Sequence, residues 1–237
     1  METYDEEYYK RCKDKGIDYA FYGNWQKQYA KLVTFMTGIY MMDYRNKSML
    51  DIGTGCGVNL KAFKETNIFD KYYGIDISEY LINLGKEKLK LSEDELRIAN
   101  SSDLPFEDDS IDFIHCSQLF EHLEKDELIT TLNEMKRVLV TDGKLFITLD
   151  AIKKGRDKDT VLNQDPSHVL AMNEHWWEDQ LKNNFILEEN TQQKFMKGKF
   201  YPGGLNDIDP NKKGENKRRT FYDHYSTEWS VFIMKGK

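Results

Sequence analysis

The sequence predicts a doubly wound α/β fold on a mostly parallel sheet of seven strands, and three observations carry that prediction. Short apolar runs alternate with amphipathic stretches from Ser48 onward, a glycine-rich turn follows the first run, and an acidic residue closes the second. Ahead of this pattern, residues 1–46 hold Tyr4, Tyr8, Tyr9, Tyr19, Phe21, Tyr22, Trp25 and Tyr29 among polar neighbours. Leu32, Val33, Phe35, Met36, Ile39 and Tyr40 recur there at helical spacing, so this segment reads as a helical lead-in. SMLDIG, KAFKET, YYGIDI, EYLINLGKEKLK and LRIAN then read β-α-β-α-β. IDFIHCS is a fourth strand, and Leu128, Leu132, Met135 and Leu139 share one face of a helix near residues 125–139. KLFITLD follows the turn signal Asp142-Gly143 as a fifth strand. Beyond Asp150, IKKGRDKDTVLNQDPS reads as a loop at the carboxyl end of a strand, where function concentrates. A helix around 174–183, the strand-like NFILEE, an insertion over 192–226 rich in Gly, Pro and polar residues, and a last strand in EWSVFIM complete the pattern. The expectation is a single domain over 1–237: a helical lid (1–46), a ligand-binding core (47–150) and a second region (151–237) that carries the insertion.

Composition narrows the function classes. Hydrophobic residues make up 39% and charged residues 32% of the 237 residues, with mean hydropathy −0.72, which excludes disorder, collagen and a membrane span. A net charge of −7 disfavours bulk attraction to nucleic acid or anionic lipid. Cys12, Cys56 and Cys116 are an odd number without metal-ligand spacing, and METYDEEYYK lacks the pattern of a signal peptide; a reducing, cytoplasmic setting is expected. Oligomeric state is not written in the sequence.

The sharpest local signal is Met49-Leu50-Asp51-Ile52-Gly53-Thr54-Gly55-Cys56-Gly57, a buried strand entering a glycine-rich turn that opens a helix. Such a turn lets a ligand approach the backbone closely. A dinucleotide fingerprint would need glycine where Val58 stands, so the pattern is G-x-G-x-G, which argues against a pyrophosphate ligand. Asp76, in Gly74-Ile75-Asp76-Ile77-Ser78, stands about 20 residues past the turn, where a carboxylate can hold both ribose hydroxyls. A nucleoside without a diphosphate is the expected ligand.

DIGTGCG, GIDIS, ANSSDLPFEDDSIDFIHCSQLFEHL and EMKRVLVTDGKLFITLD resemble, in order and spacing, the class I S-adenosylmethionine-dependent methyltransferases over about residues 48–150. The resemblance implies the Rossmann-like methyltransferase fold and S-adenosyl-L-methionine as cofactor. By that resemblance Asp51, Gly53 and Gly55, in the turn with Thr54 and Cys56, would contact the amino acid moiety, Gly57 would allow close helix packing, and Asp76, followed by Ile77, would hold the ribose. Where the family places D-A-x-x-L-P-F, this chain has Asn100, Ser101, Ser102, Asp103, Leu104, Pro105 and Phe106; an amide oxygen at Asn100 can still accept from the adenine amine. Cys116, Ser117 and Gln118 would floor the cofactor pocket. Cys56 reads more simply as a small packing residue than as a nucleophile.

Methyl transfer is an in-line displacement in which alignment carries much of the acceleration, so no metal is expected and no His/Cys/carboxylate group in the sequence has ligand spacing. A hydroxyl acceptor needs its proton removed, and His168 in QDPSH is the candidate base; an Asp165–His168 hydrogen bond that only shapes the loop is the other reading. The D-P-x-H stretch with His175-Trp176-Trp177 also looks like bacterial methyltransferases acting on sugar-type acceptors. Tyr22, Trp25, Gln26, His122 and His175 are candidates for contacting the acceptor; packing of the lead-in residues on the sheet edge, and a loop-orienting role for His122, are the other readings. Residues 194–219 carry eight basic residues against three acids, ending at Arg218 and Arg219, a balance suited to an anionic acceptor; a solvated surface loop is the other reading. The expected reaction is O-methylation of a small polar acceptor, a sugar, nucleotide-sugar or phosphate or phosphoramidate building block of a bacterial surface polysaccharide. Methylation of a lipid, quinone or nucleic acid, or a non-catalytic cofactor-binding module, are the alternatives. HCSQ at the end of the fourth strand differs from the N/D-P-P-Y/F signature of DNA amino-methylation, so no nucleic-acid partner is expected.

Overall fold

The computed structural model describes residues 4–14, 22–39, 46–152, 158–159, 162, 167–188 and 229–237. Two helices, α1 (Glu6–Asp14) and α2 (Asn24–Thr37), form the lead-in. β1 (Ser48–Ile52), α3 (Val58–Lys64), β2 (Lys71–Asp76), α4 (Glu79–Leu89), β3 (Leu96–Ile98), β4 (Ile111–Ser117), α5 (Lys125–Val138) and β5 (Leu139–Asp150) follow, then α6 (Glu174–Asn184), β6 (Phe185–Leu187) and β7 (Trp229–Gly236). The strands make one seven-stranded sheet in the order β3-β2-β1-β4-β5-β7-β6. β7 runs antiparallel to both β5 and β6, and the other pairs are parallel. The insertion expected over 192–226 lies outside the described residues.

The strand residues explain the layering. β1 is buried at all five positions, as a central strand covered on both faces must be. Because strand side chains alternate, Met49 and Phe113 join the core under α2, α3 and α4, whereas Leu50, Ile52, Ile114 and Cys116 join the core under α5 and α6. The same alternation puts Asp51 and His115, register partners in β1 and β4, on the α2 side. β5 differs from the sequence reading. It begins at Leu139, directly after α5, and runs through Asp142-Gly143, with Asp142 at φ 65 and an irregular register opposite Ile111 and Phe113. One left-handed residue bends the strand there without ending it.

α1 lies across the carboxyl edge of the sheet. The Tyr4 carbonyl accepts from Ser78 Oγ at 2.7 Å, Tyr9 stacks on Tyr80 with centroids 5.9 Å apart, and Tyr8 OH meets Ser167 Oγ at 3.4 Å. It therefore spans from the end of β2 to the segment after β5.

Trp177 of α6 is fully buried and stacks on Phe120, centroids 6.3 Å apart. Trp177→Ala should destabilise the fold by about 3–5 kcal/mol, read as a lower midpoint in urea denaturation; a loss below about 1 kcal/mol would show the site can collapse around the smaller side chain.

Candidate functional site

The strand order reverses between β1 and β4, and in open α/β sheets ligands bind in the crevice outside the carboxyl ends of the strands at that point. The glycine turn lies there. Gly53, Gly55 and Gly57 all take left-handed backbone, at φ 70, 58 and 81. A side chain at any of the three would strain the turn. The Gly55 N–H donates to Asp76 Oδ2 at 2.8 Å, and the Ser78 N–H donates to Asp76 Oδ1 at 2.8 Å. Asp76 is thus a preset acceptor joining the ends of β1 and β2, and burial raises its pKa above the ordinary aspartate value despite those donors. Burial and the Asp76 charge together push the Tyr9 pKa up.

Beneath the turn runs a buried network that the sequence did not announce. Asp51 accepts from Thr54 Oγ1 at 2.6 Å through Oδ2 and meets His115 Nδ1 at 2.6 Å through Oδ1. His115 Nε2 meets the Tyr29 hydroxyl at 2.6 Å. Where His115 Nδ1 donates to the carboxylate, Nε2 accepts from the phenol, and burial raises the Tyr29 pKa, which keeps that hydroxyl a donor. Asp51, expected at the ligand, is buried at the base of the turn and holds it through Thr54.

Two residues outside the sequence-derived set also shape the site. Gly85 of α4 lies so near the turn that a Cβ would stand 2.1 Å from the Cys56 carbonyl oxygen. Ile98, the register partner of Asp76, is 52% exposed, and Ile77 is 60% exposed, so two apolar side chains flank that carboxylate in the open. An isoleucine in a short strand carries no sequence signal of exposure, and a single glycine in a helical run reads only as a weak spot.

Asn100 Oδ1 accepts from both the backbone N–H and the hydroxyl of Ser102, each at 3.0 Å, so the oxygen expected at an adenine amine also closes a local turn. Ser101 Oγ pairs with Thr131 Oγ1 of α5 at 3.0 Å. Cys116 is buried in the core under α5 and α6, and burial drives its thiol pKa well up. Ser117 Oγ meets Thr148 Oγ1 at 2.7 Å, and Gln118, at φ 54, donates its N–H to the Thr148 carbonyl at 2.8 Å. Cys56 is buried, in keeping with a packing residue.

On the acceptor side the structure brings His122 and His168 together, ring centroids 4.7 Å apart and planes at 69°. Ser167 Oγ meets His122 Nδ1 at 2.9 Å. Glu121 joins them, and the donor atoms of the three residues lie within 4.8 Å of one another. The missing ligand spacing in the sequence is therefore no guide to space, because His168 returns from beyond β5. Gln26 turns its Oε1 to the Gly23 N–H at 2.8 Å, at the start of α2, and Tyr22 lies against the core with Lys27 and Lys61 over its ring. His175 is exposed on α6 with Asp179 at 3.6 Å and is outside the histidine pair. The side chain of Trp25, and Asp165, Arg218 and Arg219, lie outside the described residues. No described helix is long and apolar enough to cross a membrane.

With this geometry in view, residues 50–147 match the family described as "Methyltransferase domain". An uncharacterised protein of Rickettsia prowazekii is 24% identical over 148 residues, 61% of this chain and 59% of that protein; the chain thus spans less than two thirds of that relative. Demethylmenaquinone methyltransferase of Bacillus subtilis is 33% identical over 75 residues, 30% of this chain and 31% of its own length. The crystal structure of the PH0226 protein of Pyrococcus horikoshii superimposes with a TM-score of 0.61 at 19% identity, covering 98% of this chain and 99% of that one.

Two substitutions test the architecture. Tyr29→Phe removes the phenol from His115 Nε2 and should cost about 1–3 kcal/mol in chemical denaturation. Gly85→Ala should cost about 1–3 kcal/mol by overpacking against the Cys56 carbonyl, with local protection from hydrogen exchange lost in the turn. Unchanged exchange in residues 53–57 would show that α4 yields instead.

Proposed function

We propose that this chain, whose residues 50–147 match a methyltransferase domain, is a class I S-adenosylmethionine-dependent methyltransferase that moves the methyl group of S-adenosylmethionine to an oxygen of a small polar acceptor. The observation that carries this reading is the joining of the left-handed glycine turn to Asp76 at the strand-order reversal. A carboxylate fixed there by two backbone N–H groups accepts from ribose hydroxyls, and the exposed Ile77 and Ile98 offer apolar surface to the base. The turn N–H groups and Ser117 and Gln118 face the remaining length of the cofactor. α1 acts as the lid, fastened at Ser78 and Ser167 on either side of the mouth.

His168 is the general base of this reading. It sits beside His122 at the carboxyl ends of β4 and β5, where the methyl group emerges. Asn100 and Ser102 shape the adenine end, and the basic residues that end at Arg218 and Arg219 favour an anionic acceptor: a sugar, nucleotide-sugar, phosphate or phosphoramidate unit of a bacterial surface polysaccharide. A quinone acceptor is the second reading, favoured by the likeness of the core to demethylmenaquinone methyltransferase. Transfer of labelled methyl groups from S-adenosylmethionine to a panel of nucleotide sugars, sugar phosphates and quinols separates the two. Label in the quinols alone overturns the sugar reading, and no cofactor binding by calorimetry overturns both.

Asp76→Ala should weaken S-adenosylhomocysteine binding by about 1.5–3 kcal/mol, and unchanged affinity would remove Asp76 from the ribose. Because the Asp76 pKa is raised and its ionised form is the better acceptor, affinity should fall as pH falls, beginning above the ordinary aspartate range. That dependence should vanish in Asp76→Asn in calorimetric titrations at a series of pH values. For a hydroxyl acceptor, His168→Gln should lower kcat by ~10²–10⁴ with cofactor affinity kept, and an unaltered kcat and KM would take His168 out of the reaction.

A further inference from the structure

We propose that Glu121, His122 and His168 form a binding site for a divalent transition-metal ion of the zinc class. The inference goes beyond methyl transfer, which needs no metal, and it stands on geometry and donor chemistry. One carboxylate oxygen and two imidazole nitrogens lie within 4.8 Å of one another. Tetrahedral zinc, with bonds of about 2.0–2.2 Å to such donors, holds its ligand atoms about 3.3–3.6 Å apart, a contraction within the reach of side-chain rotation.

The three donors do not hang on a loose loop. Glu121 and His122 belong to a single 3₁₀ turn, Phe120–His122, that follows β4. The segment carrying His168 is fastened to that turn by two backbone bonds, Val169 N–H and Leu170 N–H to the Glu121 carbonyl, at 2.9 and 3.1 Å. The Glu121 side chain is fully buried and its Oε1 accepts from the Asp150 N–H at 3.1 Å, which fixes the carboxylate. A metal-bound histidine usually hydrogen-bonds through one ring nitrogen while the other ligates, and His122 has such a partner in Ser167 Oγ at Nδ1, which assigns Nε2 to the ion. Tyr8 OH stands behind Ser167 at 3.4 Å.

The donor set also selects the metal. Two imidazoles with one carboxylate suit zinc, cobalt or nickel, whereas magnesium and calcium seek oxygen alone. Three protein donors leave a coordination position open. An ion at this place takes up the His168 imidazole, so metal occupancy and proton abstraction by His168 are mutually exclusive.

The test uses the full chain, stripped of metal, with Zn²⁺ in calorimetry and Co²⁺ in visible absorption. One equivalent should bind with micromolar or tighter Kd, and Co²⁺ should develop d–d bands, while Mg²⁺ gives no heat. His122→Ala and His168→Ala, each checked by circular dichroism, should abolish the bands. Ser167→Ala should weaken binding about 10–100-fold, and the exposed His175→Ala should leave it unchanged. Absent binding at about 1 mM Zn²⁺, or one-equivalent binding that survives His122→Ala or His168→Ala, overturns the proposal. Neither cofactor nor acceptor enters these titrations, so their outcome is separate from that of the methyl-transfer assays.

Discussion

The carboxylate of Asp51 stands at the end of the central strand with almost no access to water, and a polar group so placed has to be met by donors from within the fold. Thr54 meets one oxygen and His115 the other. The first contact holds the glycine turn against the end of β1. The second passes through the imidazole to Tyr29 and so ties α2 to the sheet face it covers. Position of the turn, of the Gly55 N–H that reaches Asp76, and of the lead-in helix are thus linked through one acid. Aromatic rings seal the network from water: Phe63 and Phe146 lie against His115, with centroids 5.1 and 6.1 Å away.

Much of the sheet was legible in the sequence because short apolar runs and the glycine turn are local signals. Ser48–Ile52, Lys71–Asp76 and Ile111–Ser117 coincide closely with the runs that read as strands, and the helix near 125–139 is α5. Asp76 and the turn were legible for the same reason. What escaped were relations between distant residues. His115 sits in a run that reads as plain strand, and only its register beside Asp51 gives it a task. Asn100 carried the right chemistry for an adenine amine, yet Ser102, two residues on, competes for the same oxygen. Glu121 and His122 are neighbours in sequence, but their third partner arrives from the far side of β5.

Acceptor recognition was the least legible part, and the physical reason lies in where its candidates sit. Tyr22 and Gln26 have aromatic and amide groups that suit a ligand, but helix starts and cation–aromatic contacts draw on those same groups, and here they serve α2 and α3. His175 occupies an exposed helical position with an acid one turn away. Residues that remain near the mouth, Tyr8, His122, Ser167 and His168, come from three separate stretches of chain: backbone bonds from Val169 and Leu170 to Glu121 hold Ser167 and His168 beside His122, and α1 brings Tyr8 to Ser167.

The placement of β7 has a consequence for how the chain is made. β7 lies between β5 and β6, and it pairs with β5 along Lys144–Asp150. Residues 151–228 leave the ribosome after β5 and before β7, so the β5 edge has no native partner throughout that interval. An unpaired strand edge rich in apolar residues invites pairing with other chains. Leu145, Phe146, Ile147 and Leu149 make this edge such a hazard, which places the burden of protecting nascent chains on chaperones or on the speed of translation through the intervening segment.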